Sequence, residues 1–134
     1  MPALLRARLA EVTTETRRLA RGREESVDLL RRLVGALPVA ALVADNTGRF
    51  VVTNAAAWRL TGYTAGELQT LSVWDLTPAS KEHEGERLWR TFLERNEQTG
   101  EYALVRKDGR IIIAAYAAQT HLLPGLHLSL LKPL

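Results

Sequence analysis

The chain has 134 residues, of which 46% are hydrophobic and 25% charged, and this composition is typical of one globular domain. The absence of cysteine excludes disulfide bonds, thiolate metal sites and cysteine nucleophiles. The longest nearly unbroken apolar run, residues 33–44, contains Pro38 and is too short to cross a bilayer. The first residues do not form the apolar block of a signal peptide, so we expect a cytoplasmic protein without a membrane span.

The net charge of +3 is carried by the N-terminal segment. Residues 1–34 contain eight arginines and five acidic residues, whereas basic and acidic residues balance over residues 35–134. The arginines alternate with glutamates, and such a mixture is typical of a solvated helix face. A nucleic-acid-binding domain usually carries a basic face on its folded part, so no nucleic-acid partner is expected.

Residues 1–34 are predicted to form an amphipathic, coiled-coil-like helix that precedes a domain spanning residues 35–134. Only Gly22 interrupts its helical composition, and its apolar residues recur at alternating spacings of four and three. This spacing indicates a seam between two helices. We expect a homodimer, because apolar residues far from the domain have few intramolecular partners. The alternative is an amphipathic helix packed on its own domain. The predicted dimer seam consists of Leu5, Leu9, Val12, Leu19, Leu30 and Leu33.

Residues 39–63 predict a β-hairpin that leads directly into a capped helix. Two apolar runs flank the turn sequence of residues 45–48, in which asparagine and glycine accept positive φ. Asn54 follows the second run at the N-cap position, where its side chain can accept a hydrogen bond from a backbone N–H. Gly62 stands at the position of a left-handed residue just beyond the helix, so the helix should span residues 55–60.

The rest of the sequence predicts two further helices and three strands. Residues 64–67 form a capping box for a second short helix, and Ser80 can cap a longer helix that runs to about Gln98. The order of elements predicts an α+β fold, with one five-stranded antiparallel sheet and short helices across one face. The last three strands are predicted at about residues 101–106, 110–121 and 126–131, separated by the turn sequences Lys107-Asp108-Gly109 and Pro124-Gly125.

Two stretches of the sequence resemble a PAS domain, the sensory module of bacterial kinases, chemoreceptors and transcription regulators. The first is LPVAALVADNTGRFVVTNAAAWRLTGYTAGEL, residues 37–68, and the second is VRKDGRIII, residues 105–113. The resemblance covers about residues 33–131 and implies a PAS fold, in which the hairpin and short helices wall a cavity against the sheet. It also implies a role in signal transduction, with a kinase or regulator as effector partner. The last strand departs from the family, because LHLSLLKPL lacks the Asp-Ile-Thr-like step that often leads to an output helix.

The sequence contains no motif that predicts catalysis. Its four serines lie outside any nucleophile elbow, and no metalloprotease, P-loop or dinucleotide-binding motif occurs. The scattered carboxylates are typical of a solvated surface and not of a desolvated catalytic pair. We therefore expect a sensor or a protein-interaction module and not an enzyme.

An alanine-rich strand indicates a cavity in the predicted fold. Ala114, Ala115, Ala117 and Ala118 leave volume that something must fill, because protein interiors are close-packed. Either a small apolar ligand or a tryptophan side chain could fill it, and we favour the ligand-free, dimer-forming interpretation. Because the strand is apolar on both faces, the N-terminal helix or a partner subunit should cover the second face. The predicted ligand pocket consists of Leu60, Trp74, Trp89, Phe92, Ala114 and Tyr116.

The three histidines decide which cofactors the sequence allows. His83 lies in KEHEGE, where haem-binding PAS domains carry a histidine on the long helix, so the resemblance implies haem as an alternative ligand. A helical wheel places His83 opposite the apolar stripe of that helix, which favours an exposed side chain. His121, at a strand end, and His127, between two leucines, share no spacing typical of a metal site. No cofactor or metal is therefore expected.

Overall fold

A computed structural model of the protein describes residues 2–79 and 82–134, and the side chains of residues 2 and 82–84 lie outside this description. Two N-terminal helices precede a hairpin, a group of short helices and three long strands. The helices are α1 (Pro2–Leu19), α2 (Arg23–Gly35), α3 (Ala55–Thr61), α4 (Ala65–Leu68) and α5 (Glu82–Glu94), with a 3-10 helix (Val73–Leu76) between α4 and α5. The strands are β1 (Ala40–Ala44), β2 (Phe50–Thr53), β3 (Glu97–Val105), β4 (Ile111–Leu123) and β5 (Leu126–Pro133).

The strands form one antiparallel sheet in the order β2-β1-β5-β4-β3. Directly paired residues share a face, so Gln98, Ala118 and Ser129 lie on one face, which we call the inner face. Their neighbours Ala117 and Leu130 lie on the opposite, outer face. The predicted α+β architecture with a five-stranded sheet is confirmed. Within residues 2–79 and 82–134, every helix is too short or too polar to span a bilayer.

The two N-terminal helices cover the outer face of the sheet. Leu5, Leu9 and Val12 form a stripe on α1, and each is at most 5% exposed because it packs in one cluster with Leu128 and Leu130 of β5. The expectation that Leu9 and Val12 have few intramolecular partners is therefore wrong. Packing on the sheet removes the apolar stripe from water within a single chain. Of the two covers expected for the second face of the sheet, the N-terminal helix or a partner subunit, the structure shows the N-terminal helices.

The N-terminal segment forms two helices and not one continuous helix. The break falls at Gly22, whose φ of 60° lies in the left-handed region that glycine adopts without strain. This break interrupts the predicted heptad register. Leu30 of α2 is fully buried in the outer-face cluster, Leu33 is half-buried against it, and Leu19 is 42% exposed. Contact of the six seam residues with a second copy stays a prediction, as does the domain boundary after residue 34.

Asn54 joins three elements through one buried side chain. Its Oδ1 accepts hydrogen bonds from the backbone N–H of Ala57, over 3.0 Å, and of Ala41, over 3.0 Å. Its Nδ2 donates to the carbonyl oxygens of Val34, over 2.8 Å, and Val39, over 2.9 Å. The predicted N-cap is therefore confirmed, and the same amide also ties the start of α3 to β1 and to the end of α2.

The two stretches that carry the family resemblance meet in space. Gly62 ends α3 with a φ of 81°, as predicted, and the β3–β4 hairpin packs on this helix end. The backbone N–H of Lys107 donates to the Thr61 carbonyl over 2.8 Å. The guanidinium of Arg106 donates to the Leu60 carbonyl over 2.7 Å. These bonds satisfy carbonyl groups that a helix C-terminus leaves without an intrahelical partner.

The long helix and the strand after it differ from the prediction. α5 ends at Glu94 and not near Gln98, and β3 begins at Glu97, four residues earlier than predicted. Strand pairing explains the difference, because the first four residues of β3 pair with residues 116–119 of β4. The predicted cap at Ser80 lies outside the described residues.

Candidate functional site

A cavity of about 130 Å³ lies between the inner face of the sheet and the helices that cover this face. Ala118 of β4 and Ser129 beside it on β5 line the sheet side, where the small alanine leaves space. Trp74 of the 3-10 helix and Trp89 and Phe92 of α5 line the helical side. The cavity therefore exists because small residues of the sheet face a layer of large aromatic ones.

The structure brings most of the predicted pocket together. Leu60 and Ala114 do not line the cavity, because they are buried in the inner hydrophobic cluster beside it. Ala114 pairs with Tyr102 on the inner face, and it is Tyr102 that reaches the cavity. Leu60 lies on α3, which packs against β1. The predicted pocket residues that do line the cavity are Trp74, Trp89, Phe92 and Tyr116.

Aromatic contacts fix the helical wall of the cavity. The ring centroids of Trp74 and Trp89 lie 6.3 Å apart in a nearly perpendicular arrangement, and those of Trp89 and Phe92 lie 5.3 Å apart. The indole N–H of Trp89 donates to the carbonyl of Asn46 over 3.3 Å. Such contacts are favourable beyond simple burial. They hold both tryptophans in the wall, beside the cavity, and do not let them fill it.

Gln98 of β3 and Tyr116 of β4 form what we call the polar corner of the cavity. Gln98 Nε2 donates a hydrogen bond to Tyr116 Oη over 2.8 Å. Gln98 Oε1 is buried and has no hydrogen-bond partner among the described residues. Burial raises the pKa of Tyr116, so its phenol is protonated at neutral pH. Gly100 makes room for the ring, because a Cβ at that position would lie 3.2 Å from Tyr116 Cε1.

A second pair of hydroxyl groups, Thr77 and Tyr102, lines the same cavity. Thr77 donates to the Val73 carbonyl over 3.0 Å, so the Tyr102 hydroxyl acts as the donor to Thr77. Burial raises the pKa of Tyr102. The pair also lines a smaller cavity of about 100 Å³ next to Pro78, and it therefore stands between the two spaces. Both hydroxyl hydrogens of this pair are used within the protein.

His127 of β5 borders the cavity as a neutral, fully hydrogen-bonded side chain. Its Nδ1 accepts from the backbone N–H of His121 over 2.9 Å, so Nε2 carries the hydrogen and donates to Asn46 Oδ1 over 2.7 Å. The residue is 1% exposed. Burial, followed by the nearby His121, lowers the pKa of His127 to about 4.

The proximity of His121 and His127 was not predicted from the sequence. Their ring centroids lie 4.5 Å apart. The β4–β5 pairing is irregular between Gln119 and Leu123, and His121 has a φ of 43°, which is uncommon outside glycine. A prediction from sequence assumes a regular hairpin register, so it does not foresee an irregularity that brings the two rings together. Among the described residues, no group of three metal-binding side chains occurs.

The described cavity residues do not fit haem or a flavin. The cavity is close in volume to the roughly 150 Å³ engineered cavity that binds benzene, whereas both cofactors contain several linked or fused rings. His127, the histidine that lines the cavity, already uses both ring nitrogens. The side chain of His83, the residue that the resemblance suggested as a haem ligand, lies outside the described residues.

Comparisons with known proteins agree with this architecture. The family model for the PAS domain matches residues 38–120. No match was found among curated proteins. The chain is similar to the Rhodobacter sphaeroides LOV protein, with a TM-score of 0.71 and 16% identity over 84% of this chain and 69% of that one.

Two further solved structures have similar folds. One is a domain of the sensory box sensor histidine kinase/response regulator from Geobacter sulfurreducens, with a TM-score of 0.68 and 17% identity over 78% of this chain and 91% of that one. The other is the PAS domain, in complex with ethanol, of a LuxR-family transcriptional regulator from Burkholderia thailandensis. Its TM-score is 0.64 and its identity 15%, over 77% of this chain and 95% of that one. At these identities the structures show a shared fold.

Proposed function

Because the chain belongs to the PAS domain family, we propose that it is a non-catalytic sensory and protein-interaction module of a signal-transduction protein, and that its inner cavity holds a small molecule. The effector would be a kinase or a regulator, as in the Geobacter and Burkholderia proteins that share its fold. The Burkholderia domain was solved in complex with ethanol, so a domain of this fold can hold a small molecule.

The observation that carries the ligand proposal is the cavity and its polar corner. Protein interiors are close-packed, and buried polar atoms usually have hydrogen-bond partners. Here Gln98 lines a space of about 130 Å³, and its buried Oε1 has no partner among the described residues. A bound molecule would both fill the space and supply that partner. This is why we place ligand binding ahead of the ligand-free interpretation that the sequence favoured.

Two neighbouring alanines provide a matched test of the cavity. Ala118 lines the cavity, whereas Ala117 is fully buried against the N-terminal helices on the outer face. Ala118→Leu should fill open space and change the melting temperature little. Ala117→Leu should overpack a dense interface and destabilise the protein by about 1–3 kcal/mol.

The second measurement is the detection of a bound ligand. Native mass spectrometry of the freshly purified parent should detect a bound small molecule or its uptake from a probe mixture, and Ala118→Leu should abolish this signal. If both leucine variants are destabilised equally and the parent takes up no probe, the cavity does not bind ligands.

We also propose that the module self-associates as a homodimer through its N-terminal helices and sheet. Support comes from apolar side chains that a single chain leaves uncovered. Ile111 and Ile113, on the outer face at the start of β4, are 58% and 45% exposed, and Leu19 at the end of α1 is 42% exposed. Light scattering over a concentration series should show a dimer that Ile113→Asp weakens. A monomer at all concentrations would refute this part of the proposal.

A further inference from the structure

We infer that the cavity ligand is a small uncharged molecule with a hydroxyl or carboxamide group, and that Gln98 and Tyr116 bind this group. The inference rests on the proposed function, because it concerns the chemistry of the same cavity. It depends on the hydrogen-bonding capacity that the polar corner has left after its internal bond is formed.

The polar corner keeps at least one donor and one acceptor without an internal hydrogen-bond partner in either orientation of the Gln98 amide. As observed, Gln98 Nε2 donates to Tyr116 Oη, which leaves the Gln98 Oε1 acceptor, the second amide hydrogen and the Tyr116 hydroxyl hydrogen. If the amide is rotated by half a turn, the Tyr116 hydroxyl donates to Oε1, which leaves both amide hydrogens and the phenol oxygen. A ligand group that both donates and accepts satisfies the corner in each case. Hydroxyl and carboxamide groups have this property.

The other polar groups around the cavity exclude a charged ligand. None of the described side chains that line it is an arginine, lysine, aspartate or glutamate. His127 has both ring nitrogens in hydrogen bonds and is neutral. An ionised ligand would therefore lose part of its hydration without gaining a counter-charge from the described lining residues, which is unfavourable.

The position of Ser129 separates it from the polar corner. Gln98 pairs with Ala118, and Ala118 pairs with Ser129, so the serine lies two strands away on the inner face. This separation is roughly 10 Å, since adjacent strands are about 4.8 Å apart. One small polar group cannot contact both, so Ser129 provides a matched control for the polar corner.

Phenol and toluene are suitable probes, because they have nearly the same size and differ in one hydroxyl group. Both are close to benzene, which occupies a cavity of roughly 150 Å³ in another protein. Dissociation constants can be measured by titrating each probe into isotope-labelled protein and following amide chemical shifts. Benzoate serves as the charged probe and should not bind.

The decisive variant is the double substitution Gln98→Leu with Tyr116→Phe. Either residue alone would still supply a donor and an acceptor, so a single substitution would leave a functional corner. Replacing both hydrogen-bonding partners by apolar groups of similar shape is close to neutral for stability. We expect the double variant to bind phenol about tenfold more weakly than the parent, since two hydrogen bonds are lost, and to bind toluene unchanged. Ser129→Ala, which removes a hydroxyl group from the cavity wall away from the polar corner, should reduce phenol affinity much less than the double variant does.

The outcomes separate this inference from the proposed function. If toluene binds but the double variant leaves phenol affinity unchanged, or if Ser129→Ala causes the loss instead, the assignment to Gln98 and Tyr116 is wrong while the ligand cavity stands. If benzoate binds as well as phenol, the inference of an uncharged ligand is wrong. If neither phenol nor toluene binds the parent, the proposed ligand-binding function fails as well.

Discussion

Replacement of Asn54 by alanine should destabilise the protein by about 4 kcal/mol, far more than the loss of an ordinary helix cap. The N-cap bond to Ala57 contributes about 1 kcal/mol. The bonds to Ala41, Val34 and Val39 add about 1 kcal/mol each. Because Asn54 is 3% exposed, water cannot easily replace these partners.

Urea unfolding measures this effect, and two further variants separate its parts. Asn54→Ser keeps an oxygen for the cap bond to Ala57 but loses the other three bonds. Its free energy of unfolding should therefore be lower by about 3 kcal/mol. Thr64→Ala is the matched control, because Thr64 caps α4 through one local bond to the Glu67 backbone over 3.1 Å. Its free energy of unfolding should be lower by about 1 kcal/mol.

The comparison with Thr64→Ala also provides the outcome that would contradict the role assigned to Asn54. If Asn54→Ala costs no more than Thr64→Ala, with an unchanged dependence on urea concentration, then Asn54 is only a cap. In that case its bonds to Val34 and Val39 would not help to hold α2 on the domain. A changed urea dependence would instead indicate an altered unfolded or partly folded state.

Three other substitutions test packing, ionisation and the cavity wall. Leu9→Ala should lower the free energy of unfolding by about 2–5 kcal/mol, whereas Leu4→Ala, at a 62% exposed site on the same helix, should have little effect. If urea unfolding shows equal losses of stability for the two variants, α1 does not pack on the sheet as described. The pKa of His127 is about 4 in the folded protein and 6.5 ordinarily, so the unfolded chain binds more protons between these values and stability should decrease as the pH falls through this window. His127→Gln should flatten that dependence in unfolding experiments at several pH values, and an unaltered slope would exclude His127 as its source. Gly100→Ala should displace the Tyr116 ring and weaken phenol binding, so unchanged affinity in the titration would show that the ring adjusts without affecting the cavity.

Local hydrogen-bonding chemistry made much of the fold predictable. Asn54, Gly62 and Thr64 each have a preferred role at a helix end, and the structure confirms all three. The turns at residues 45–48 and 107–109 follow from the same backbone preferences. The fold class then follows from the order of these elements, because few arrangements bury a hairpin, short helices and three long strands together.

Features set by distant contacts were harder to predict. The apolar stripe of α1 fits a coiled coil and a sheet face equally well, since both require apolar residues three and four positions apart. No local pattern indicates that Gln98 belongs to β3, because its strand pairing depends on β4. The polar corner was therefore predicted only in part, through Tyr116. His121 and His127 meet only because of an irregularity in the hairpin.

The middle of β4 serves two separate compartments with consecutive residues. Ala117 contributes to the cluster under the N-terminal helices, and Ala118, the next residue, lines the cavity. Because side chains alternate along a strand, deleting one residue between Ile111 and Tyr116 would carry the preceding residues to the opposite side of the sheet. The exposed Ile111 and Ile113 would then turn inward, and Ile112 would turn outward. Among relatives of this chain, β4 should therefore vary in residue type while single-residue insertions and deletions are confined to its two hairpin turns.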